Sequence, residues 1–239
     1  MTEALILPLL LSPKKATLLM PDPSKWPSSA MASGHLPVVF TQRHSYALQD
    51  YGIGFAGTPV MPLEHMVQLA SPGAVGFFGL DTEINRRFGI SNQSAASFIR
   101  QRSATMMPWR QRHLSSSYDL GVLTFRPASV AAAGIRRVSA ILAGRGFRPA
   151  LIACDHTASL AHLSGILEGS GDTVSYVYFD AHFDLGYLGE IEGCHNGNFV
   201  DRVLHMERVR AVINVGGRAW TTFAPVYADL PKFSCVPGG

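Results

Sequence analysis

The chain has 239 residues, of which 47% are hydrophobic and 15% charged, and this composition excludes disorder over the whole length. Its 20 basic and 17 acidic residues give a net charge of +3, which is too small to indicate a dedicated nucleic-acid-binding protein. Three cysteines are too few for a disulfide scaffold, and no apolar run reaches the ~18–20 residues of a membrane helix. We therefore expect a cytoplasmic protein whose partners include neither nucleic acid nor a membrane.

Residues 1–35 are rich in Pro, Ser and Lys and show no sustained period, so we expect an irregular N-terminal segment. Over residues 36–239, short apolar runs alternate with helical patterns, which predicts one α/β domain. Strands are predicted at 36–40, 75–80, 121–125, 150–153, 174–179 and 209–215, and helices at 92–104, from Pro127 to Gly144, 157–167 and 199–206. This alternation favours a mostly parallel sheet that helices cover on both faces.

The richest group of chemically active residues directly follows the predicted strand 174–179. Asp180, His182 and Asp184 occupy alternate positions, and alternate side chains of an extended chain point to the same face. Ligands of open α/β sheets bind beyond the carboxyl ends of the strands. Two carboxylates and an imidazole in that place suit Mn²⁺, Zn²⁺ or Fe²⁺ better than copper, and the alternative is a solvated loop that binds nothing.

A histidine also follows the preceding predicted strand, 150–153. His156 stands at the carboxyl end of this strand, which can lie beside strand 174–179, and Thr157 is a suitable N-cap for the next helix. A single histidine is more often a packed or surface residue than a metal ligand. His156 precedes Asp180 by only 24 positions, however, so the two strand ends together favour a shared metal site.

Several of these segments resemble the ureohydrolases, the arginase and agmatinase family. Asp-Ala-His-Phe-Asp at 180–184 is similar to the family's Asp-Ala-His-x-Asp signature, and Cys-Asp-His-Thr at 154–157 resembles its Gly-Gly-Asp-His-Ser motif. Val-Gly-Gly-Arg at 215–218 resembles a family strand that ends in Gly-x-Arg, and residues 79–100 show a weaker similarity. The resemblance covers roughly residues 73–220 in the order of the family.

The resemblance implies a three-layer α/β/α fold around a mostly parallel sheet. It also implies a binuclear Mn²⁺ centre whose activated hydroxide attacks the guanidinium carbon of arginine, agmatine or a similar compound and releases urea. A small guanidino or amidino substrate is therefore expected, and family members tend to form homo-oligomers.

The site residues carried over from the family are six. The resemblance implies that His156 and Asp184 bind the first metal, that His182 binds the second, and that Asp180 bridges both. It further implies that Asp155 holds and orients the ligand-bearing strand end. His195 is either the proton shuttle to the departing amine or an ordinary exposed loop histidine, and the sequence favours neither.

The chain also departs from the family pattern. Residues 153–154 replace two glycines, and Gly186 stands where a polar side chain meets the amino-acid end of the substrate, which favours agmatine or another guanidino acid. No Ser-x-Asp-x-Asp-x-x-Asp-Pro motif follows Arg218, so we expect the strands that carry the third metal motif to be missing. Asp180 and Asp184 supply −2 against the +4 of two Mn²⁺, which predicts a truncated or degenerate member with weak or mononuclear metal binding and little hydrolysis.

A basic stretch lies outside the motif segments. It contains Arg100, Arg102, Arg110, Arg112 and His113, with Met106, Met107 and Trp109 between them. The stretch is either an anion or nucleic-acid patch or a solvated helix end and loop, and the small net charge favours the second interpretation.

Three functions are open at this point. The first is a metal-dependent hydrolase of linear amidines or guanidino compounds, and the second is a non-catalytic ureohydrolase-like protein with weak metal binding. The third is a metallohydrolase that acts on another C–N bond, such as a formimino group or an acyl amide.

Overall fold

The computed structural model describes residues 40–41, 54–82, 84, 95–104, 116–125, 130–186, 193–218 and 230–238. Predictions for the other residues lie outside this part of the chain, including the irregular segment 1–35, most of the strand at 36–40, the helix start at Pro127, and Arg110 to His113 of the basic stretch.

Strands and helices alternate through the described residues. The strands are β1 Phe40–Thr41, β2 Val75–Leu80, β3 Ser117–Leu123, β4 Arg148–Ile152, β5 Val174–Phe179, β6 Val209–Gly217 and β7 Phe233–Pro237. The helices are α1 Leu63–Leu69, α2 Ala95–Ser103, α3 Ala131–Gly144, α4 Thr157–Ser170 and α5 Phe199–Leu204, and a 3₁₀ turn precedes them at Phe55–Gly57. The sequence patterns missed α1 and β7, and they placed β3 about four residues too late.

The strands form two sheets, with the orders β1-β3-β2-β4 and β5-β6-β7. Every pairing within them is parallel except that of β1 with β3. These parallel sheets with flanking helices confirm the predicted α/β class.

The strand before His156, which the sequence allowed to lie beside the strand before Asp180, is not hydrogen-bonded to it in the described residues. β4 pairs only with β2, and β5 pairs only with β6, so each of the two is an edge strand of its own sheet. Val177 and Phe179, which lie on the same face of β5, are exposed, Phe179 to 82%. Apolar runs indicate that two segments are strands, but they do not indicate which strands pair.

The core of the first sheet is closed by α3. The sequence of this helix repeats apolar residues at Ile135, Val138, Ile141 and Leu142, and Ile135, Val138 and Leu142 are fully buried against β2 and β3. A second core joins α4 and α5 to β5 and β6. The first core packs against Leu151 and Ala153 at the carboxyl end of β4, and the second includes Phe183 and Leu185 just after β5. The candidate ligands lie next to these residues in the sequence.

Arg100 corrects the interpretation of the basic stretch as a solvated surface. It is only 4% exposed, and its guanidinium Nε donates to Asp119 Oδ2 at 2.5 Å. Asp119 is fully buried in β3 and also accepts the backbone N–H groups of Phe55 and Gly121. This hydrogen-bonded ion pair ties α2 and the 3₁₀ turn to the sheet, and a buried charge needs such partners.

The longest helices of the described residues, α3 and α4, have 14 residues each, which corresponds to about 21 Å. No helix in this part of the chain is both long and apolar enough to cross a bilayer.

Candidate metal centre

Three predicted ligands converge where β4 and β5 end. His156 precedes the first turn of α4, Asp180 follows β5 directly, and Asp184 lies four residues further on. His156 Nδ1 is 3.0 Å from Asp184 Oδ2, and His156 Nε2 is 3.9 Å from Asp180 Oδ2. One ligand atom from each residue lies within 4.8 Å of the others. Strand ends that do not pair with each other therefore still bring their polar residues together.

This donor set fits a divalent ion. Ligand atoms that share one ion at ~2.0–2.2 Å stand about 3–4 Å apart. Here one ligand atom from each of the three residues lies within 4.8 Å of the others, so a small inward movement of the side chains would close the group around one ion. One imidazole nitrogen and two carboxylate oxygens suit Mn²⁺, Zn²⁺ or Fe²⁺. The His156 side chain is 52% exposed, so the group opens to solvent on one side.

Asp180 stands between two histidines. Its Oδ2 faces His156, whereas its Oδ1 lies 3.3 Å from His182 Nδ1 and accepts the His182 backbone N–H at 3.0 Å. His182 is 67% exposed and stays outside the three-residue group. The orientation of Asp180 suits a bridging role, and the assignment of His182 to a second metal stays a prediction.

The expected extended geometry of residues 180–184 is wrong, although the residues do converge. The strand ends at Phe179, and Asp184 adopts a positive φ of 51°, which turns the chain back over the sheet. Phe183, between His182 and Asp184, is buried. Simple alternation would have brought His182 into the group as well, and the bend is the reason that it points elsewhere.

The electrostatics of the group favour a cation. The pKa of His156 is raised, first by its hydrogen bond to Asp184 and further by the charges of Asp184, Asp180 and Asp155, while partial burial opposes the rise. Two carboxylates thus attract a positive charge to this place, either as a proton on His156 or as a metal ion.

Asp155 is buried, and its carboxylate accepts hydrogen bonds from two neighbouring segments. Its Oδ1 accepts the backbone N–H and the hydroxyl of Thr157, and its Oδ2 accepts the N–H of Ile84 at 3.0 Å. Helix α4 begins at Thr157, so the prediction of Thr157 as N-cap is wrong by one residue, and Asp155 satisfies the free helix N–H instead. Asp155 thereby holds the backbone on either side of His156, and its role in catalysis stays a prediction.

His195 is not the exposed loop histidine of the second interpretation, because it is only 7% exposed. Its Nδ1 accepts the N–H of Gly197 at 3.1 Å, and its backbone N–H donates to Asn198 Oδ1 at 2.7 Å. The N–H of Gly186 donates to Gly197 O at 2.8 Å, and the N–H of Val200 donates to Asp184 O. Residues 193–198, which contain His195, therefore pack on residues 180–186, which carry Asp180 and Asp184 and are called the ligand loop below.

A cavity of about 280 Å³ adjoins the ligand group and was not predicted. It is lined by Leu151, Ala153, Cys154, Asp155, His156, Ser159 and His162. His162 is largely buried there, with Nδ1 2.8 Å from Ser139 Oγ, and burial lowers its pKa to about 4. No sequence pattern distinguished His162 from other helical histidines.

Acidification is expected to destabilise the protein through His162. The folded-state pKa of about 4 lies below the ordinary 6.5, so the folded state binds this proton less readily than the unfolded state. The contribution of neutral His162 is complete above pH 6.5 and is lost as the pH falls towards 4, by about 3 kcal/mol in all. Urea unfolding at several pH values should show that, between pH 6.5 and 4, the free energy of unfolding falls less in His162→Gln than in the wild type. His205→Gln, at an exposed histidine, is the control and should keep the wild-type slope.

Comparison with known proteins places these residues in a family. Residues 74–232 match the sequence model of the arginase family. Among solved structures, the chain is similar to proclavaminate amidino hydrolase from Streptomyces clavuligerus, with a TM-score of 0.58 and 18% identity over 77% of this chain and 63% of that one. It is also similar to a hypothetical agmatinase from Burkholderia thailandensis, with a TM-score of 0.60 and 16% identity over 77% of this chain and 58% of that one.

A third similar structure is a Trypanosoma cruzi formiminoglutamase with Mn²⁺, with a TM-score of 0.58 and 14% identity over 74% of this chain and 65% of that one. The chain thus spans about three fifths of the length of these structures. Because the identities are low, the similarity to these structures concerns the fold alone. No curated protein matches the chain in sequence.

Proposed function

Because the chain belongs to the arginase family, we propose that it is a metal-dependent hydrolase that cleaves a C–N bond in a small guanidino or amidino compound. The observation that carries this proposal is the convergence of His156, Asp180 and Asp184 within 4.8 Å at the ends of two strands. The proposed ion is Mn²⁺, with His182 beside Asp180 as a candidate ligand of a second ion. Support for manganese comes from the donor chemistry and from the similar formiminoglutamase structure that holds Mn²⁺.

In this proposal, different residues bind the ion, hold the site in place and transfer a proton. Bound Mn²⁺ would supply Lewis acidity and lower the pKa of coordinated water. Asp180 and Asp184 compensate the charge of the ion, and Asp155 keeps the backbone around His156 in place. His195 would donate a proton to the departing amine, because it is buried in a loop that is hydrogen-bonded to the segment carrying Asp184.

The proposed substrate carries a carbon bonded to more than one nitrogen. That group is common to the amidino, guanidino and formimino compounds that the names of the three similar structures indicate. Gly186 adopts a φ of 79° at the end of the ligand loop and has no side chain with which to bind an α-carboxylate. Agmatine is therefore the first substrate to test, followed by arginine and a formimino amino acid.

The test begins with metal binding and ends with product release. Mn²⁺ is titrated into the full chain by calorimetry, and the loaded protein is then assayed for urea and ammonia over the substrate panel. We expect one ion per chain and slow release of product, because three protein donors are available to the first ion. His156→Ala should abolish both, whereas His205→Ala, which removes an exposed histidine beside Asp201, should change neither.

Two outcomes would contradict the proposal in different ways. Uptake of Mn²⁺ without release of product from any member of the panel would favour the non-catalytic alternative. Failure to bind Mn²⁺, Zn²⁺ or Fe²⁺ would overturn the metal-dependent function itself.

A further inference from the structure

A buried asparagine lies directly beneath the ligand loop. Asn214 is on β6, opposite Tyr178 of β5, and it is 0% exposed. Its Nδ2 donates to the carbonyl oxygens of Asp180 and His182, each at 3.2 Å. An amide nitrogen has two hydrogens, so one side chain can donate to both outer carbonyls of a three-residue segment, and the Asn214 amide also hydrogen-bonds the Tyr178 hydroxyl.

Burying the Asn214 amide costs free energy unless its hydrogen bonds compensate for the loss of water. Val212 lies on the same face of β6, is also fully buried, and shows that the strand fills its core with apolar side chains. A buried amide costs free energy when its polar atoms lack partners. Here the Oδ1 atom accepts from Cys235 Sγ at 3.5 Å, so both ends of the amide are bonded.

The surroundings of Asn214 hold it in place. A Cβ at Gly217 would come within 2.3 Å of Asn214 Oδ1 and of the Phe183 ring, so the absence of a side chain there makes room for the amide. The hydroxyl of Tyr178 donates to Phe183 O at 2.8 Å. Carbonyls at three of the four positions 180–183 therefore receive a hydrogen bond from a side chain of the sheet below.

We propose that Asn214 is a positioning residue that sets the placement of Asp180 and His182 for metal binding. With both carbonyls attached to one planar amide, the two Cα atoms cannot move independently, and the Asp180 carboxylate stays aimed at His156. This inference rests on the proposed function, because it requires that the loop binds a metal ion. Asn214 touches no ligand side chain in this role and acts only through the backbone.

The experiment compares Asn214→Leu with Val212→Ala in the full chain. Asn214→Leu keeps the approximate volume and removes the two donors, whereas Val212→Ala weakens the same core face and leaves the loop bonds intact. Three quantities are measured: the urea midpoint of the metal-free protein, the Kd for Mn²⁺, and the EPR spectrum of bound Mn²⁺. Amide exchange of His182, whose N–H donates to Asp180 Oδ1, is followed by NMR without metal.

We expect Asn214→Leu to raise the Kd for Mn²⁺ at least tenfold, to alter the EPR spectrum at saturation, and to speed exchange of the His182 amide. Val212→Ala should lower the urea midpoint at least as much and change the Kd by less than twofold. Wild-type Kd and spectrum in Asn214→Leu, or equal losses of affinity in both variants, would overturn the positioning role alone. A wild-type chain that takes up no Mn²⁺ would overturn the proposed function, and this inference with it.

Discussion

Asp184→Asn is expected to lower the affinity for Mn²⁺ by roughly 100-fold or more while leaving the fold intact. The carboxylate is one of the three converging donors, and a neutral amide oxygen replaces its charge without changing its size. Asp184 adopts a φ of 51°, a left-handed conformation that asparagine tolerates at least as well as aspartate. The substitution therefore separates metal binding from backbone geometry.

Calorimetry with Mn²⁺ and urea unfolding of the metal-free chain measure these two effects. Asp201→Asn is the matched control, because Asp201 also lies close to a histidine, with His205 Nδ1 3.8 Å from its Oδ1. This pair is exposed, and within the described part of the chain it belongs to no group of three metal-binding side chains. The control should bind Mn²⁺ like the wild type. An Asp184→Asn protein whose Kd stays within threefold of the wild type would show that Asp184 is not a ligand.

The backbone at Asp184 also explains how the ligand group forms. A left-handed non-glycine residue costs about 1–2 kcal/mol, and it persists where the surroundings compensate. Val200 N–H donates to Asp184 O, and Tyr178 holds the carbonyl of the preceding Phe183. These bonds turn the chain so that Asp184 faces His156, although β4 and β5 belong to different sheets.

Local patterns were sufficient for the parts of the site that follow strands. The apolar runs before His156 and Asp180 located both strand ends, and the carboxyl-end rule placed His156, Asp180 and Asp184 together. The periodicity of α3 likewise identified its buried face. The strand ends and the helix face are indicated by neighbours in the sequence. The approach of His156 to Asp184, 28 positions away, followed instead from the general rule that ligands bind at the carboxyl ends of strands.

The features that were missed depend on partners far apart in the sequence. Asn214 donates hydrogen bonds to carbonyls 34 and 32 positions away. Arg100, which was expected to be exposed, is buried because it pairs with an aspartate 19 positions away. Asp119 interrupts the apolar pattern of β3, so this strand was placed too late. A buried polar residue resembles a surface residue in the sequence, and only its partners in the fold distinguish the two.

Gly165→Ala is expected to destabilise the protein by roughly 3 kcal/mol, although alanine normally stabilises a helix interior by about 1 kcal/mol relative to glycine. Gly165 lies in α4 where that helix crosses α3, and a Cβ there would stand 2.2 Å from the carbonyl oxygen of Arg136 and 2.7 Å from Ser139 Cβ. Gly169, one turn later, would meet Ala140 O at the same distance. The clash is with backbone, so no side chain can move to relieve it.

Urea unfolding of Gly165→Ala and of Glu168→Ala tests this close crossing. Glu168 lies on α4 between the two glycines and forms an exposed ion pair with Arg136 at 2.7 Å, so its loss should cost less than about 0.5 kcal/mol beyond the change in helix propensity. Because α4 begins directly after His156, a helix displaced by the new methyl group should also carry this ligand away from Asp184 and weaken Mn²⁺ binding. A Gly165→Ala protein as stable as the wild type would contradict the close crossing, because an added Cβ only 2.2 Å from the Arg136 carbonyl oxygen could not be tolerated without cost. In that case the affinity for Mn²⁺ should also stay unchanged.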